Sequence, residues 1–389
     1  MRILLFSNFS FPYSCADATR VINFAKLLRE LGHEIDVLGV QYAKDGVLSG
    51  ETEGVSFEMI QATHWSGFKA YKRIKQLEKD IQAYLSSRER YDAILLSNVY
   101  YDLSRVFIRY CKKTGTRLMV NAVEWYEKDN VQFDGIKGKI NFIKNRIALR
   151  YIHKKMGNII AISSLLDDYY KQRGCNTITI PTIINVDEYH LVRSQKKEYD
   201  DVISIAYAGD PGRKDYIRNA IYALDVLADE ERVKIRLNFY GATKEKACQD
   251  DLLRSYVEKY DKQIFFHGRI PYLEVKEKIA QADFTILLRP NKRYANAGFP
   301  TKVGESMACG TPVIANLTSD LGKYIVDGQT GIVCEDETPL ACAKALEKAL
   351  AMTVDQRMKM HDKVLVQSKE MFDYRSYKDK VAVFLENLK

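Results

Sequence analysis

The chain has 389 residues, 46% of them hydrophobic and 28% charged, which suits two folded domains whose cores need no crosslinks. Its seven cysteines (Cys15, Cys111, Cys175, Cys248, Cys309, Cys334, Cys342) are scattered, and no CxxC pair occurs. That leaves zinc and redox motifs without support and fits a reducing compartment. The formal net charge of +8 allows nucleic acid, an anionic bilayer surface or phosphate-bearing substrates as partners.

In chain order, the first apolar run is Ile3-Leu4-Leu5-Phe6, ended by Ser7 and Asn8. It predicts a strand over 2–7 and is too short for a signal peptide. Further strands are predicted at 34–40, 92–97, 117–121 and 158–162. Between the first two, Val21–Leu31 has helical periodicity, with Gly32 as its stop. Continuous apolar strands alternating with helices imply a parallel sheet covered on both faces. Residues 133–157 carry Lys137, Lys139, Lys144, Arg146, Arg150, Lys154 and Lys155 against one acid, Asp134, with Phe142, Ile143, Ile147, Leu149 and Ile152 interleaved. This is the pattern of a basic amphipathic helix, and it reads either as a membrane-surface contact or as a solvated face. No apolar stretch approaches the roughly 20 residues of a spanning helix.

The charged, aperiodic stretch Val192–Asp201 reads as a linker. The α/β pattern then restarts, with strands predicted at 203–209, 233–239, 263–267, 284–288 and 312–315. Open α/β sheets bind ligands at the carboxyl ends of their strands, so function is expected in the loops that follow them.

The most informative stretch is Ala295–Ala315, which reads as a loop, a short helix and a buried strand. Pro300 suits a first helical turn, Thr301 a cap and Gly310 the helix end. Free amides at such a helix start favour a diphosphate, and Lys302 adds a full charge. Glu305, one turn in, is placed to accept both hydroxyls of a ribose. An isolated Glu there is more often a solvated helix residue; the surrounding glycines and prolines favour the site.

This stretch resembles the donor-site signature of retaining GT-B glycosyltransferases of family 4. That signature is a Glu, seven residues, a second Glu, then a small-residue turn and Gly-x-Pro-Val. Glu305 matches the second Glu, Gly310-Thr311-Pro312-Val313-Ile314 the tail, and Val326–Ile332 the Asp-Gly-x-x-Gly turn that follows. The first Glu, which in the family touches the transferred sugar, falls on Ala297. The resemblance implies a GT-B architecture: two Rossmann-like α/β domains facing across a cleft. These are 1–190 for the acceptor, 191–371 for the nucleotide-sugar donor, and a helix 372–389 crossing back to the first. It carries diphosphate-binding roles to Arg213 and Lys214, in a loop opened by Gly209 and Asp210 that would otherwise read as a charged turn. Phe266–Ile270, including Arg269 and Ile270, resembles the base-framing segment, while His267 alone reads as a packed core histidine. Gly298, Phe299, Pro300, Thr301 and Lys302 would supply amides and a cation. Acceptor-side candidates are Asp17 and Arg20 after strand one, and Glu124, Trp125 and Tyr126 after strand 117–121. Glu124 would stand where the family often has a His, with Trp125 a stacking platform. A loop Glu beside a core Trp fits those two residues equally well.

The expected activity is metal-independent transfer of a sugar from a nucleotide-diphosphate sugar, the co-substrate, to a saccharide or lipid-linked acceptor. No cofactor and no metal are expected, since no Asp-x-Asp motif stands out, and the lack of GxGxxG argues against NAD. The catalytic set is Arg213, Lys214 and Glu305, acting on a leaving diphosphate, with no general base beyond that phosphate. The expected location is the cytoplasm, peripheral to the inner membrane face through residues 137–155. No nucleic acid is expected, since no aromatic-basic recognition motif accompanies the charge. A nucleotide-sugar epimerase and a catalytically silent sugar-nucleotide binder, the latter suggested by Ala297, are the rivals.

Overall fold

The computed structural model describes residues 1–12, 15–63, 70–97, 99, 101–127, 135–193, 201–210 and 214–389. The chain forms two compact units, Met1–Ile184 with Tyr374–Lys389, and Asn185–Asp373.

The first unit holds an eight-stranded sheet of order β3-β4-β2-β1-β5-β6-β7-β8. Its strands are β1 (Arg2–Ser7), β2 (Glu34–Gln41), β3 (Ser49–Thr52), β4 (Val55–Gln61), β5 (Ala93–Ser97), β6 (Arg117–Ala122), β7 (Asn158–Ala161) and β8 (Asn176–Thr179). All neighbours pair in parallel except β3 with β4. β1 is central, with Phe6 opposite Leu38 on one side and Leu96 on the other. Its middle, Ile3–Phe6, is apolar without alternation because helices cover both faces. The helix Ala16–Glu30 starts earlier than its periodicity predicts and closes on Gly32 at φ +80°. There His33 N–H donates to Leu28 O and Gly32 N–H to Arg29 O, which satisfies the last carbonyls. The segment Tyr374–Lys389 completes this unit's core, where Tyr374, Tyr377, Val381, Phe384, Leu385 and Leu388 pack against Phe24, Leu28 and Ile180.

The second unit is a six-stranded, all-parallel sheet of order β11-β10-β9-β12-β13-β14. Its strands are β9 (Ile203–Ala208), β10 (Ile235–Tyr240), β11 (Ile264–Gly268), β12 (Phe284–Leu287), β13 (Val313–Asn316) and β14 (Gly331–Cys334). The helix Val186–Arg193 belongs here, not to the first domain as the boundary at 190 has it. Its Tyr189 is buried with a phenol–phenol bond of 2.8 Å to Tyr272, and Val186 N–H donates to Asp373 at 3.1 Å. The same helix takes Val192 and Arg193 out of the expected linker, whose residues 194–200 lie outside the described residues.

Candidate functional site

In the second unit the chemistry-bearing groups gather at the carboxyl ends of the central strands, starting with three glycines. Gly209, Gly241 and Gly268 end the adjacent strands β9, β10 and β11 with φ of +119°, +96° and +64°. Gly209 N–H donates to Tyr240 O at 2.8 Å and Gly241 N–H to Gly268 O at 2.6 Å. A Cβ on Gly241 would sit 3.0 Å from the Gly209 carbonyl, and one on Gly209 would sit 2.8 Å from Lys302 Cε. The left-handed backbone and the close approach together require glycine at both positions.

Against this edge stands the helix Thr301–Ala308. Pro300 is its N-cap, one residue before the cap expected at Thr301, and Thr301 is its first helical residue; the N-cap side chain makes no hydrogen bond. Among the described residues its orphan amides have no side-chain acceptor. Its other end closes on Gly310 at φ +70°, with Thr311 N–H donating to Ser306 O and Gly310 N–H to Met307 O. The helix is bolted to the sheet by buried hydroxyls: Thr285 and Ser306 lie 2.6 Å apart, and Ser306 donates to Thr311 O at 2.7 Å. That anchorage turns Val303, Ser306 and Met307 inward. Lys302 and Glu305, three residues apart, line a small pocket with Ala206, Tyr207 and Ala208 of β9.

Lys302 Nζ donates to Asp215 at 2.7 Å and lies 5.0 Å from the Tyr207 ring centroid. Tyr207 OH donates to the same carboxylate oxygen at 2.8 Å. The Glu305 carboxylate takes no hydrogen bond among the described residues. Burial pushes its pKa up, while Lys302 and Lys276 pull the other way. Lys276 is itself buried, its ammonium 4.1 Å and 4.7 Å from the ring centroids of Tyr189 and Tyr272. A half-buried, unpaired carboxylate beside cations is costly in the empty protein and is suited to accepting paired hydroxyls.

The other donor candidates divide. Asp210 spends its carboxylate on Lys246 at 2.9 Å, on the surface. Lys214 is half-buried, and Arg213 lies outside the described residues. Arg269 is exposed, and Ile270 packs against a cluster of Ala206 and Tyr240. His267 is not a core residue: it is exposed, stacked on Tyr240 at 4.5 Å and bonded to Asn238 at 3.0 Å. The Phe299 ring is turned into an aromatic cluster with Tyr324 and Phe372, so only the main chain of Gly298, Phe299 and Pro300 is free to meet a ligand. Ala297, in the place of the family's first Glu, is 0% exposed. In the Val326–Ile332 turn, Asp327 accepts from Val333 N–H and pairs with Lys348, which ties the turn to β14 and the helix Pro339–Leu350.

The first unit has a cavity of about 210 Å³ at the carboxyl end of β6, lined by Asp17, Asn121, Glu124, Tyr126, Asn145 and His153 among others. Arg20 lies beneath it and is fully buried, with burial bringing its pKa down to about 10. Its guanidinium donates to Asn121 at 3.2 Å, to Ile180 O at 2.8 Å and to Pro181 O. Arg20 is therefore a strut that fixes Asn121, not an acceptor contact. Trp125 is likewise buried, edge-on to Tyr169 at 4.9 Å, and offers no stacking face.

Sequence reasoning passed over His153. Tyr170 OH donates to Leu149 O at 3.1 Å and lies 2.8 Å from His153 Nδ1. A phenol has one proton, so the arrangement that satisfies all three groups puts a hydrogen on Nδ1 and leaves Nε2 a bare acceptor on the cavity wall. Burial lowers the ring's pKa to about 4. The unfolded chain therefore binds a proton below about pH 6.5 that the fold refuses until about pH 4. Stability from this group is complete above that window and is lost as pH falls through it, by up to about 3 kcal/mol. Melting curves of wild type and His153→Gln between pH 7 and 4.5 check this: the wild type should lose more, and parallel curves would contradict it.

Two parallel-sheet α/β units with their polar groups at strand carboxyl ends form the GT-B architecture of glycosyltransferases. Residues 190–364 match the family model described as Glycosyl transferases group 1. A curated relative, an uncharacterized glycosyltransferase of Methanocaldococcus jannaschii, is 20% identical over 220 residues, 55% of this chain and 54% of its own. The chain thus matches about half the length of that relative. Sucrose-phosphate synthase from Thermosynechococcus elongatus superposes over 99% of this chain and 98% of its own, with a TM-score of 0.74 and 17% identity. HepE of Anabaena, solved with UDP and glucose, covers 100% of both chains with a TM-score of 0.69 and 14% identity.

Proposed function

We propose that the protein is a retaining, metal-independent glycosyltransferase that moves a sugar from a UDP- or GDP-sugar to a saccharide or lipid-linked acceptor. The observation that carries the reading is the pairing of Lys302 and Glu305 on one face of an uncapped helix start, set against the Gly209 turn. The amides and Lys302 receive the diphosphate, joined by Arg213 and Lys214, and Glu305 takes the ribose hydroxyls. As the anomeric C–O bond breaks, negative charge grows on the leaving phosphate, and fixed cations stabilise it more than they stabilise the ground state. An acceptor hydroxyl attacks from the same face and passes its proton to the departing phosphate oxygen, so the configuration is retained and no side-chain base is needed. The first-unit cavity holds the acceptor, with His153 Nε2 accepting from one of its hydroxyls.

Incubation with UDP- and GDP-sugars and a panel of saccharide acceptors in excess EDTA tests this. The expected product keeps the donor's anomeric configuration at an undiminished rate. An inverted product or an EDTA-quenched rate would overturn the mechanism. An epimerised sugar released without acceptor would favour the epimerase, and donor binding without turnover the silent binder.

The basic stretch supports a peripheral membrane site for a lipid-linked acceptor. Ile140, Ile143 and Tyr151 are 49%, 56% and 61% exposed on the helical segment that carries Lys139, Lys144, Arg146, Arg150, Lys154 and Lys155. Co-sedimentation with anionic vesicles should exceed that with neutral ones and fall at least severalfold in Ile140→Glu, Ile143→Glu. Equal pelleting with both lipids would contradict it.

A further inference from the structure

Arg289 lies at the carboxyl end of β12 and is buried, yet two of its nitrogens, Nε and Nη1, have no hydrogen-bond partner among the described residues. A buried guanidinium with unmet donors demands a reason. Its main chain is not free to move: Arg289 N–H donates to Asn316 at 2.9 Å, and Asn316 donates back to Arg289 O at 2.7 Å. Asp215 stands beside it, with Oδ1 3.3 Å from Arg289 Nε but without hydrogen-bond alignment. The other oxygen, Oδ2, carries both Lys302 at 2.7 Å and Tyr207 at 2.8 Å. One buried carboxylate thus stands between two cations. It grips the more exposed lysine and leaves the fixed arginine under-used.

We propose that Asp215 is an internal counter-ion that holds Lys302 in the empty site and releases it to the donor diphosphate, and that Arg289 is the positioning residue that then takes over Asp215. This rests on the donor-site reading above. The sequence of contacts follows from the charges. Without a ligand, a lone lysine beside an uncapped helix start would repel it, and Asp215 offsets that. When a diphosphate arrives, Lys302 pivots past Gly209, where only a glycine leaves room for its stem. A buried carboxylate stripped of its partner would be strongly destabilising. The unmet Nε–H of Arg289 faces that carboxylate and needs only realignment to bond it. The cost of parting the ion pair is thereby shared, and Lys302 is freed for the phosphate.

A double-mutant cycle tests this, with UDP, GDP and ADP each titrated calorimetrically and the tightest one used throughout. Asp215→Asn should bind about tenfold more tightly than wild type, because nothing competes for Lys302. Arg289→Gln should bind about tenfold more weakly, because Asp215 then keeps the lysine. In the Asp215→Asn background the Arg289→Gln loss should vanish. An equal loss in both backgrounds would mean that Arg289 meets the phosphate directly or acts through the fold, and would overturn the proposal; so would unchanged affinity in Asp215→Asn. Should a variant fail to fold, the wild-type complex with the same nucleotide decides by crystallography. The proposal expects Lys302 on phosphate and Asp215 squarely bonded to Arg289, and Lys302 still on Asp215 would refute it. If no nucleoside diphosphate binds the wild type, the donor-site reading fails and takes this proposal with it; if one binds and the cycle shows no coupling, only this proposal fails.

Discussion

Glu305→Ala is expected to lower kcat/KM for the donor by about a hundredfold or more while leaving the fold intact. The loss follows from the site: two ribose hydroxyls lose a charged acceptor in a place where solvent cannot fully replace it. The fold should not suffer, because among the described residues the carboxylate has no hydrogen-bond partner to lose, and it is held above its ordinary pKa by burial. A raised carboxyl pKa means that the folded state binds its proton more tightly than the unfolded chain does. Ionised Glu305 therefore costs stability at neutral pH, and the cost disappears as pH falls below the unfolded value of about 4.3. Glu305→Gln should melt at or above the wild-type temperature at pH 7, with the two curves converging near pH 4. Donor kinetics and pH-dependent melting on the same preparations check both halves. A variant that melts lower and turns over normally would reverse the assignment, making Glu305 structural.

Lys302→Ala is the second large effect, with an expected fall in kcat of about 10²–10³, the usual range for removing one preorganised group from developing charge. Here the loss should fall on turnover more than on nucleotide affinity. In the empty protein this lysine is already neutralised by Asp215, so binding the diphosphate exchanges one ion pair for another. The full benefit appears only when phosphate charge grows in the transition state. Single-turnover rates with saturating donor isolate that step. A pure KM effect with kcat preserved would show that Lys302 only holds the ground state. Lys302→Arg should not rescue fully, since a planar fork does not fit the narrow space beside Gly209.

Much of the frame was legible because its physics is local. Runs such as Ile3–Phe6 and Ile205–Tyr207 are buried on both faces of parallel sheets and so carry no alternating polar residues. The strands that escaped notice obey another rule or are short. β4 alternates covered and open residues, Val55, Phe57 and Met59 inward, because β3 pairs antiparallel beside it. β8, Asn176–Thr179, has four residues and two threonines. The spacing of Lys302 and Glu305 was readable because three residues along a helix is a local relation. The link from Asp215 to Lys302 spans 87 positions, and Arg289 reaches the same carboxylate from a third segment. No local pattern encodes such meetings. Trp125 and Arg20 misled for a related reason: residue types suited to binding serve equally in a core, and only burial separates the two uses. His153 was invisible because its worth depends on Tyr170 and Leu149, which fix its tautomer.

The helix start at Thr301, with Lys302 and Glu305, is expected to grip a nucleoside diphosphate. Calorimetric titration of UDP and GDP into wild type and Glu305→Gln measures this. Saturable, one-to-one binding of at least one of them to the wild type is expected, weakened at least tenfold by the substitution. No binding of either nucleotide, or the same affinity in both proteins, would contradict it.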